Sequence, residues 1–261
     1  MRAFGRWLLW LVLAGIALQL FFVLRIAAML VIDPQSTAFM RSEAWRLASE
    51  SVTGDASWRW SSQWVDYESI NPNLKRAVMA SEDAGFVEHG GVDWEAIESA
   101  WARNERRQEQ IEKRQAQIEK RLAKKPEAAE AAIKAIKPAK ILGGSTITQQ
   151  LAKNLLLSGE RNLLRKGQEL VLTLTLEALL SKRRILEIYL NSVEWGEGVF
   201  GAEAAARRYF GKSADKLGAY EAAKLAVMLP SPKFFETRPG SAYLSRRTAT
   251  IVARMGDVTP P

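Results

Sequence analysis

The stretch at residues 143–154 reads GGSTITQQLAKN, and residues 82–91 read EDAGFVEHGG. The first is a polar run with one lysine, Lys153, and the second places an acidic pair, Glu82 and Asp83, beside several glycines. A carboxylate on a turn can accept a proton, and nearby cations can hold an anionic leaving group. These are the parts that a transferase needs when it activates a hydroxyl nucleophile and expels a phosphate leaving group.

Helix signals surround both stretches. Asn71 and Pro72 open a run in which apolar residues recur at helical spacing up to Glu82, and Asp93 is a predicted N-cap for the next helix. Further helices are predicted at 149–157, 163–180, 184–190, 203–210 and 220–228. Because no alternating strand of useful length occurs, the sequence predicts a mainly α fold.

Composition sets limits on the class of protein. The 261 residues are 48% hydrophobic and 25% charged, which fits one good-sized core. Cysteine is absent, which excludes disulfides and thiolate metal sites.

The N-terminus carries an apolar segment. Residues 7–24 (WLLWLVLAGIALQLFFVL) contain no charge and as a helix would rise about 27 Å, close to the thickness of a bilayer core. Arg25 lies near its outer end, where a long side chain can reach the interface. With Arg2 and Arg6 before the segment, we expect an uncleaved anchor at 1–32 with a cytoplasmic N-terminus. A cleaved signal peptide is the alternative, but the apolar run is longer than the apolar region of a typical signal peptide.

The segment 33–64 shows no dominant period and is expected to be juxtamembrane. Another change in composition comes at 104–140, where QIEKR occurs twice, seven residues apart, and places Ile111 and Ile118 on one helix stripe. Residues 103–140 hold twelve Lys or Arg against six Glu, a net charge of +6. The favoured interpretation is a solvated helical hairpin broken near Pro126, and a surface for anionic lipid head groups is the alternative. Nucleic acid is excluded as a partner because no recognition fold accompanies the charge.

The 82–91 stretch resembles the first signature motif, E-D-x-x-F-x-x-H-x-G, of the family 51 peptidoglycan glycosyltransferases, which polymerise lipid II. It is matched by Glu82, Asp83, Phe86, His89 and Gly91. The resemblance implies that Glu82 is the catalytic base. From spacing alone the Glu-Asp pair would be a solvated helix end. His89, the sole histidine, is interpreted as structural.

The 143–154 stretch resembles the second motif, G-x-S-T-I-T-Q-Q-x-x-K-N, at every fixed position. The resemblance implies that Ser145, Gln150 and Lys153 line the donor site, with the lysine on the diphosphate and Asn154 in support. Gln150 and Lys153 are three apart and share a helix face. Ser145 is expected to open this helix, where free backbone N–H groups favour anions.

A third motif, R-K-x-x-E, is similar to Arg165, Lys166 and Glu169. The resemblance makes Glu169 the second essential carboxylate, facing the donor phosphates directly or through a divalent cation such as Mg²⁺ or Mn²⁺, and adds Arg161 as a diphosphate ligand. From spacing alone, Arg165 and Glu169 would be a surface ion pair worth about 0.3–0.5 kcal/mol.

The fourth motif resembles residues 182–196, a helix expected to be scaffold that supports the cleft through Glu187, Tyr189 and Asn191. Residues 229–232 with Arg246 and Arg247 fit a fifth region more loosely. The resemblance covers about 65–255.

Together these features imply a lysozyme-like glycosyltransferase domain at 65–255 with one N-terminal transmembrane helix, on the outer face of the inner membrane. Its expected partners are lipid II, the growing lipid-linked glycan, membrane phospholipid and cell-wall synthesis or division proteins, with no organic cofactor. With about 65 residues after Gly196, we expect no transpeptidase. A lytic hydrolase and a membrane-tethered scaffold are the alternatives from other classes.

Overall fold

A computed structural model describes residues 2–54, 59–123, 125–136, 143–157 and 163–261. Over these residues the chain is mainly helical, which confirms the fold class predicted from the sequence. It forms two compact units: Met1–Val92 with Thr146–Pro261, and Asp93–Ser145.

Both units are built from helices over the described residues. They are α1 (Arg2–Ala28), α2 (Ala38–Thr53), α3 (Pro72–Glu82), α4 (Trp94–Arg121), α5 (Pro126–Lys134), α6 (Ile147–Leu156), α7 (Leu163–Leu179), α8 (Lys182–Ser192), α9 (Ala202–Phe210), α10 (Ala219–Met228), α11 (Pro232–Glu236) and α12 (Ala242–Arg254). Three short strands, β1 (Ser61–Ser62), β2 (Glu194–Gly196) and β3 (Val199–Phe200), form a sheet with β3 in the middle, parallel to β1 and antiparallel to β2.

Helix α3 lies at the centre of the first unit. The Asn71 side chain caps it by accepting from the Asn73 N–H at 2.9 Å, and Pro72 occupies the first turn, where its missing N–H is not needed. Its apolar face, including Leu74 and Val78, is fully buried where α10 and α12 pack against it. This packing fixes the position of Glu82, the last residue of the helix.

A second part of the core lies between α6, α7, α8 and β2. Trp195 and Tyr189 are its largest fully buried side chains, and the Trp195 indole N–H donates to the Leu225 carbonyl at 3.1 Å. The inner face of α8, which includes Ile185, is buried in this core.

Helix α1 is apolar on all sides. Phe4–Ala28 is long and apolar enough to cross a membrane, and very little of its apolar stretch is buried against the rest of the protein. Its C-terminal end behaves differently, because Ile26 and Met29 join the hydrophobic core. The core thus begins inside the segment expected to be the anchor at 1–32.

Helix α2 was missed by sequence reasoning, which found no dominant period in 33–64. Its signals are at its ends: the Thr37 hydroxyl accepts from the Met40 N–H at 2.9 Å, and Gly54 closes the helix at φ +82°. Only Met40 and Leu47 are buried, so the apolar stripe is too sparse to show a period.

The second unit contains α4 and α5, which pack against each other. Asp93 caps α4 by accepting from the Ala96 N–H at 2.7 Å, as predicted. Ile111 and Ile118 face α5 across a groove that Ala132 and Ile136 line from the other side. The two isoleucines therefore do lie on one stripe of the hairpin.

Candidate active site

Glu82 ends α3 with its carboxylate held by hydrogen bonds. Its Oε2 accepts from Nε2 of Gln150 at 3.0 Å, and its Oε1 accepts from the Ser81 hydroxyl at 3.3 Å. Burial raises the pKa of Glu82 above its usual range, against the opposing effect of these hydrogen bonds and of the Arg247 charge. Because its carboxylate is buried, Glu82 is not the solvated helix end that spacing alone suggests. The raised pKa also makes this carboxylate a better proton acceptor than a solvated one.

The orientation of Gln150 is set from the other side of its amide. The Tyr189 hydroxyl donates to Oε1 of Gln150 at 3.0 Å, which leaves Nε2 to donate to Glu82. Tyr189 is 1% exposed, and burial followed by the charges of Glu82 and Asp83 raises its pKa well above the usual value. The phenol therefore stays protonated and acts as a donor.

Asp83 connects three segments of the chain. Its Oδ1 accepts from Nε2 of His89 at 2.9 Å, and its Oδ2 accepts from the backbone N–H of Ile147 at 2.9 Å. Because the Gly91 N–H donates to Nδ1 of His89 at 3.2 Å, the neutral histidine carries its proton on Nε2. These bonds give both side chains a structural role, as expected for His89.

The turn after Glu82 is tied to α7 and α8. Gly91 has φ +90°, and a Cβ there would lie 2.8 Å from side-chain atoms of Thr173 and Glu177, so only glycine fits. The Lys182 ammonium donates to the His89 carbonyl at 2.6 Å and to Glu177 at 2.9 Å. It also lies 4.6 Å from the ring centre of the fully buried Phe86.

The prediction that Ser145 opens α6 is wrong. Thr146 is the N-cap: its hydroxyl accepts from the Gln149 N–H at 3.2 Å, and the Gln149 side chain accepts from the Thr146 N–H at 3.1 Å. The Ile147 N–H is bound by Asp83. These donors are already satisfied and do not form the anion site expected there, and Ser145 itself belongs to the second unit.

A cleft of about 360 Å³ lies beside this network in the first unit. Gln150, Lys153 and Asn154 line it together, which confirms that Gln150 and Lys153 share a face of α6. The remaining lining residues come from α2, the end of α6, α7, the segment from α8 into β2 and the segment from α10 into α11: Phe39, Ser42, Leu157, Arg165, Val193, Glu194, Leu229 and Pro232. Gln150 thus connects Glu82 with a cleft that carries two cations.

Glu169 is buried rather than part of a surface ion pair. Its side chain is 5% exposed, and its Oε2 lies 3.0 Å from the Arg165 guanidinium while Oε1 is bound by the Lys166 ammonium. Each oxygen keeps a second lone pair, so Mg²⁺ or Mn²⁺ would fit this carboxylate only against the repulsion of two cations of the same helix. Arg161, the other expected diphosphate ligand, lies outside the described residues.

Side chains of α8 form hydrogen bonds with the segment that precedes α3. Glu187 pairs with Arg184 at 2.7 Å and accepts from the Tyr67 N–H at 2.7 Å. Asn191 bonds both the N–H and the carbonyl of Val65, each at 2.9 Å. Both residues therefore bind the segment that precedes α3.

Comparison with known proteins identifies the family of this chain. The sequence model described as Transglycosylase matches residues 50–121 and 124–256. The chain belongs to the transglycosylase family. A protein of Burkholderia thailandensis named biosynthetic peptidoglycan transglycosylase is 46% identical over 264 residues, which cover 100% of this chain and 90% of that protein. A protein of the same name from Herminiimonas arsenicoxydans is 45% identical over 265 residues, which cover 100% of this chain and 100% of that protein. The lysozyme-like, mainly α fold expected for a transglycosylase agrees with the helices described above.

The transglycosylase cleft contains one acidic residue that sequence reasoning missed. Glu194 begins β2, is 8% exposed in its side chain, and lies 3.5 Å from Lys233. Burial raises its pKa to about 7, against the attraction of Lys233, while the Glu43 charge raises it further. The only signal in the sequence is a carboxylate next to the buried Trp195, which does not reveal that the residue faces the cleft.

Proposed function

We propose that the protein is a peptidoglycan glycosyltransferase that polymerises lipid II. It transfers the growing glycan from its polyprenyl diphosphate to the 4-hydroxyl of the GlcNAc of lipid II. The observation that carries the proposal is the bond from Gln150 to Glu82, which joins a carboxylate of raised pKa to a cleft lined by Lys153 and Arg165. The names of the relatives support the same reaction.

In the proposed reaction, Glu82 takes the proton of the acceptor hydroxyl as its oxygen bonds to the anomeric carbon of the donor sugar. The bond between that carbon and the diphosphate oxygen breaks, and the electron pair leaves with the diphosphate. Lys153 and Arg165 stabilise the charge that develops on the leaving group, an electrostatic contribution worth about 3–4 kcal/mol for one well-placed donor in other enzymes. Attack opposite the leaving group inverts the anomeric carbon.

Glu169 has a supporting role in this proposal. A carboxylate beside a diphosphate repels it unless cations intervene. Because Arg165 and Lys166 bind both oxygens of Glu169, the carboxylate can position the two cations of α7 toward the donor phosphates. Arg161 is proposed as a further diphosphate ligand on the family resemblance alone.

We place α1 in the cytoplasmic membrane, with the catalytic domain on its outer face. The apolar surface of Phe4–Ala28 supports a single-pass anchor. Arg2 and Arg6 before the span support a cytoplasmic N-terminus. Protease treatment of spheroplasts tests this orientation, since only an outward domain is digested without lysis.

Incubation of the full chain with labelled lipid II in detergent tests the reaction. The expected product is a high-molecular-weight glycan that a muramidase digests, formed by the parent and not by Glu82→Gln. Cleavage of preformed glycan into fragments would instead indicate a lytic hydrolase. If the parent leaves lipid II unreacted, the result would favour the alternative that the protein is a membrane-tethered scaffold.

A further inference from the structure

A second cavity lies where α1 ends, apart from the catalytic cleft. It has a volume of about 290 Å³. Its lining combines the polar side chains of Arg25, Arg41 and Ser36 with the apolar side chains of Ala28, Met29 and Ile32. A lining that contains both cations and hydrocarbon matches an amphipathic anion.

The two arginines are the unusual part of this cavity. In the described part of the chain, neither Arg25 nor Arg41 forms an ion pair with a carboxylate, and the Arg41 guanidinium donates to the hydroxyl and carbonyl oxygens of Ser36, at 3.1 and 3.2 Å. Their charges repel each other. Asp33 also lines the cavity, but its carboxylate is bound by Arg184 at 2.6 Å.

Two other arginines of this unit do form ion pairs. Arg46 binds Glu43, Glu50 and Glu197, and Arg184 binds Glu187 as well as Asp33. Arg25 instead lies one turn before the end of an apolar helix, where an unneutralised charge is unfavourable in a bilayer. An anion supplied by the membrane would remove both this penalty and the repulsion.

We propose that this cavity binds the phosphate of an anionic phospholipid at the C-terminal end of α1. Two guanidinium groups can hold one phosphate through paired N–H···O bonds, and the apolar lining residues can then contact the start of the acyl chains. The diphosphate of the substrate is the less suitable occupant, because the catalytic cleft has its own cations and shares no lining residue with this cavity. The inference rests on the membrane anchor proposed above.

Native mass spectrometry of the detergent-solubilised full chain tests the site. Titration with phosphatidylglycerol and with zwitterionic phosphatidylcholine should show a preference for the anionic lipid in the parent. Because each cation near an anionic lipid contributes about fivefold in affinity, Arg25→Gln with Arg41→Gln should weaken phosphatidylglycerol binding roughly 25-fold. If that double variant does not fold, the exposed Arg41→Gln alone should weaken it about fivefold.

The matched control is Arg76→Gln with Arg254→Gln, which removes two exposed charges elsewhere in the same unit. This control should bind phosphatidylglycerol as the parent does, and an equal loss in both double variants would reduce the effect to net charge and overturn the site. Equal binding of the two lipids by the parent, or unchanged binding by the Arg25 and Arg41 variant, would also overturn it. Displacement of phosphatidylglycerol by a polyprenyl diphosphate would assign the cavity to the substrate instead.

Alkaline carbonate extraction of membranes separates failure of the anchor from failure of the site. A chain released by carbonate would overturn the anchor and this proposal together. A chain that stays in the membrane but binds lipids without selectivity would overturn the site alone.

Discussion

The amide of Gln150 donates from Nε2 to the carboxylate of Glu82 over 3.0 Å, while its Oε1 accepts from Tyr189 over 3.0 Å. A buried phenol thereby fixes which end of the amide faces the carboxylate. The arrangement stabilises the ionised form of Glu82 within surroundings that otherwise raise its pKa. Glu82 can therefore be ionised to accept a proton and still be basic enough to take it.

Replacing the proposed base should stop turnover without disturbing the fold. Glu82→Gln keeps the shape of the side chain but cannot accept a proton, so we expect turnover of lipid II to fall about 10²- to 10⁴-fold. The melting temperature should stay near that of the parent. Turnover within threefold of the parent would remove Glu82 from the role of base.

Removing the hydroxyl of Tyr189 should act through Gln150. In Tyr189→Phe the amide can turn its oxygen toward Glu82, which destabilises the carboxylate and raises its pKa further. We expect turnover to fall about two- to tenfold, the size of one lost neutral hydrogen bond. The acid limb of the pH–rate profile should also move to higher pH, an effect that a purely structural change would not produce.

The control for that experiment is Tyr220→Phe, since Tyr220 is 53% exposed. It should leave both turnover and the pH profile unchanged. An unshifted acid limb in Tyr189→Phe would mean that the phenol does not orient the amide.

Local signals in the sequence were sufficient for part of this structure. Asn71 and Pro72 mark the start of α3, and Asp93 marks that of α4, because caps and first-turn prolines act over three or four residues. Contacts between distant segments were not accessible in this way. The bond between Tyr189 and Gln150 joins residues 39 apart, and the burial of Glu194 depends on elements far along the chain.

Loss of Asp83 should affect stability. Asp83→Ala leaves the Ile147 N–H and the His89 ring without their acceptor, and an unsatisfied buried donor costs about 1–3 kcal/mol. We expect chemical denaturation to show a loss of this size, with a smaller loss for Asp83→Asn, which retains one acceptor oxygen. Glu88→Ala, on the exposed side of the same turn, should be neutral. Equal stability of Asp83→Ala and the parent would contradict the bonds described for Asp83.

Truncation should show where the anchor ends and the core begins. Removing residues 1–24 leaves Ile26 and Met29 in place, whereas removing 1–32 deletes both, together with the Met29 and Ile32 carbonyls that accept from Arg184. Each buried apolar side chain contributes about 1.5–3 kcal/mol, so the longer truncation should be less stable by several kcal/mol. Unfolding of both truncated chains in detergent measures the difference. Equal stability would place the whole segment outside the core.

Glu194 should make stability depend on pH in a defined direction. Its pKa is about 7 in the folded chain against 4.5 as the ordinary value. Between these values the folded state holds a proton that the unfolded state has released, so the free energy of unfolding falls as pH rises from about 4.5 to about 7. The nearest charges, Lys233 and Glu43, have opposing effects on this carboxyl and do not reverse the sign.

Glu194→Gln should therefore be more stable than the parent above pH 7 and similar to it near pH 4. A neutral amide carries no penalty for ionisation, so the difference at pH 8 should be on the order of 1–3 kcal/mol, lessened by the lost attraction of Lys233. Denaturation series from pH 4 to pH 8 measure it, with the exposed Glu88→Gln as the matched control. A stability difference that stays constant across this range would show that Glu194 has the same pKa in the folded and unfolded states, so that burial does not raise it.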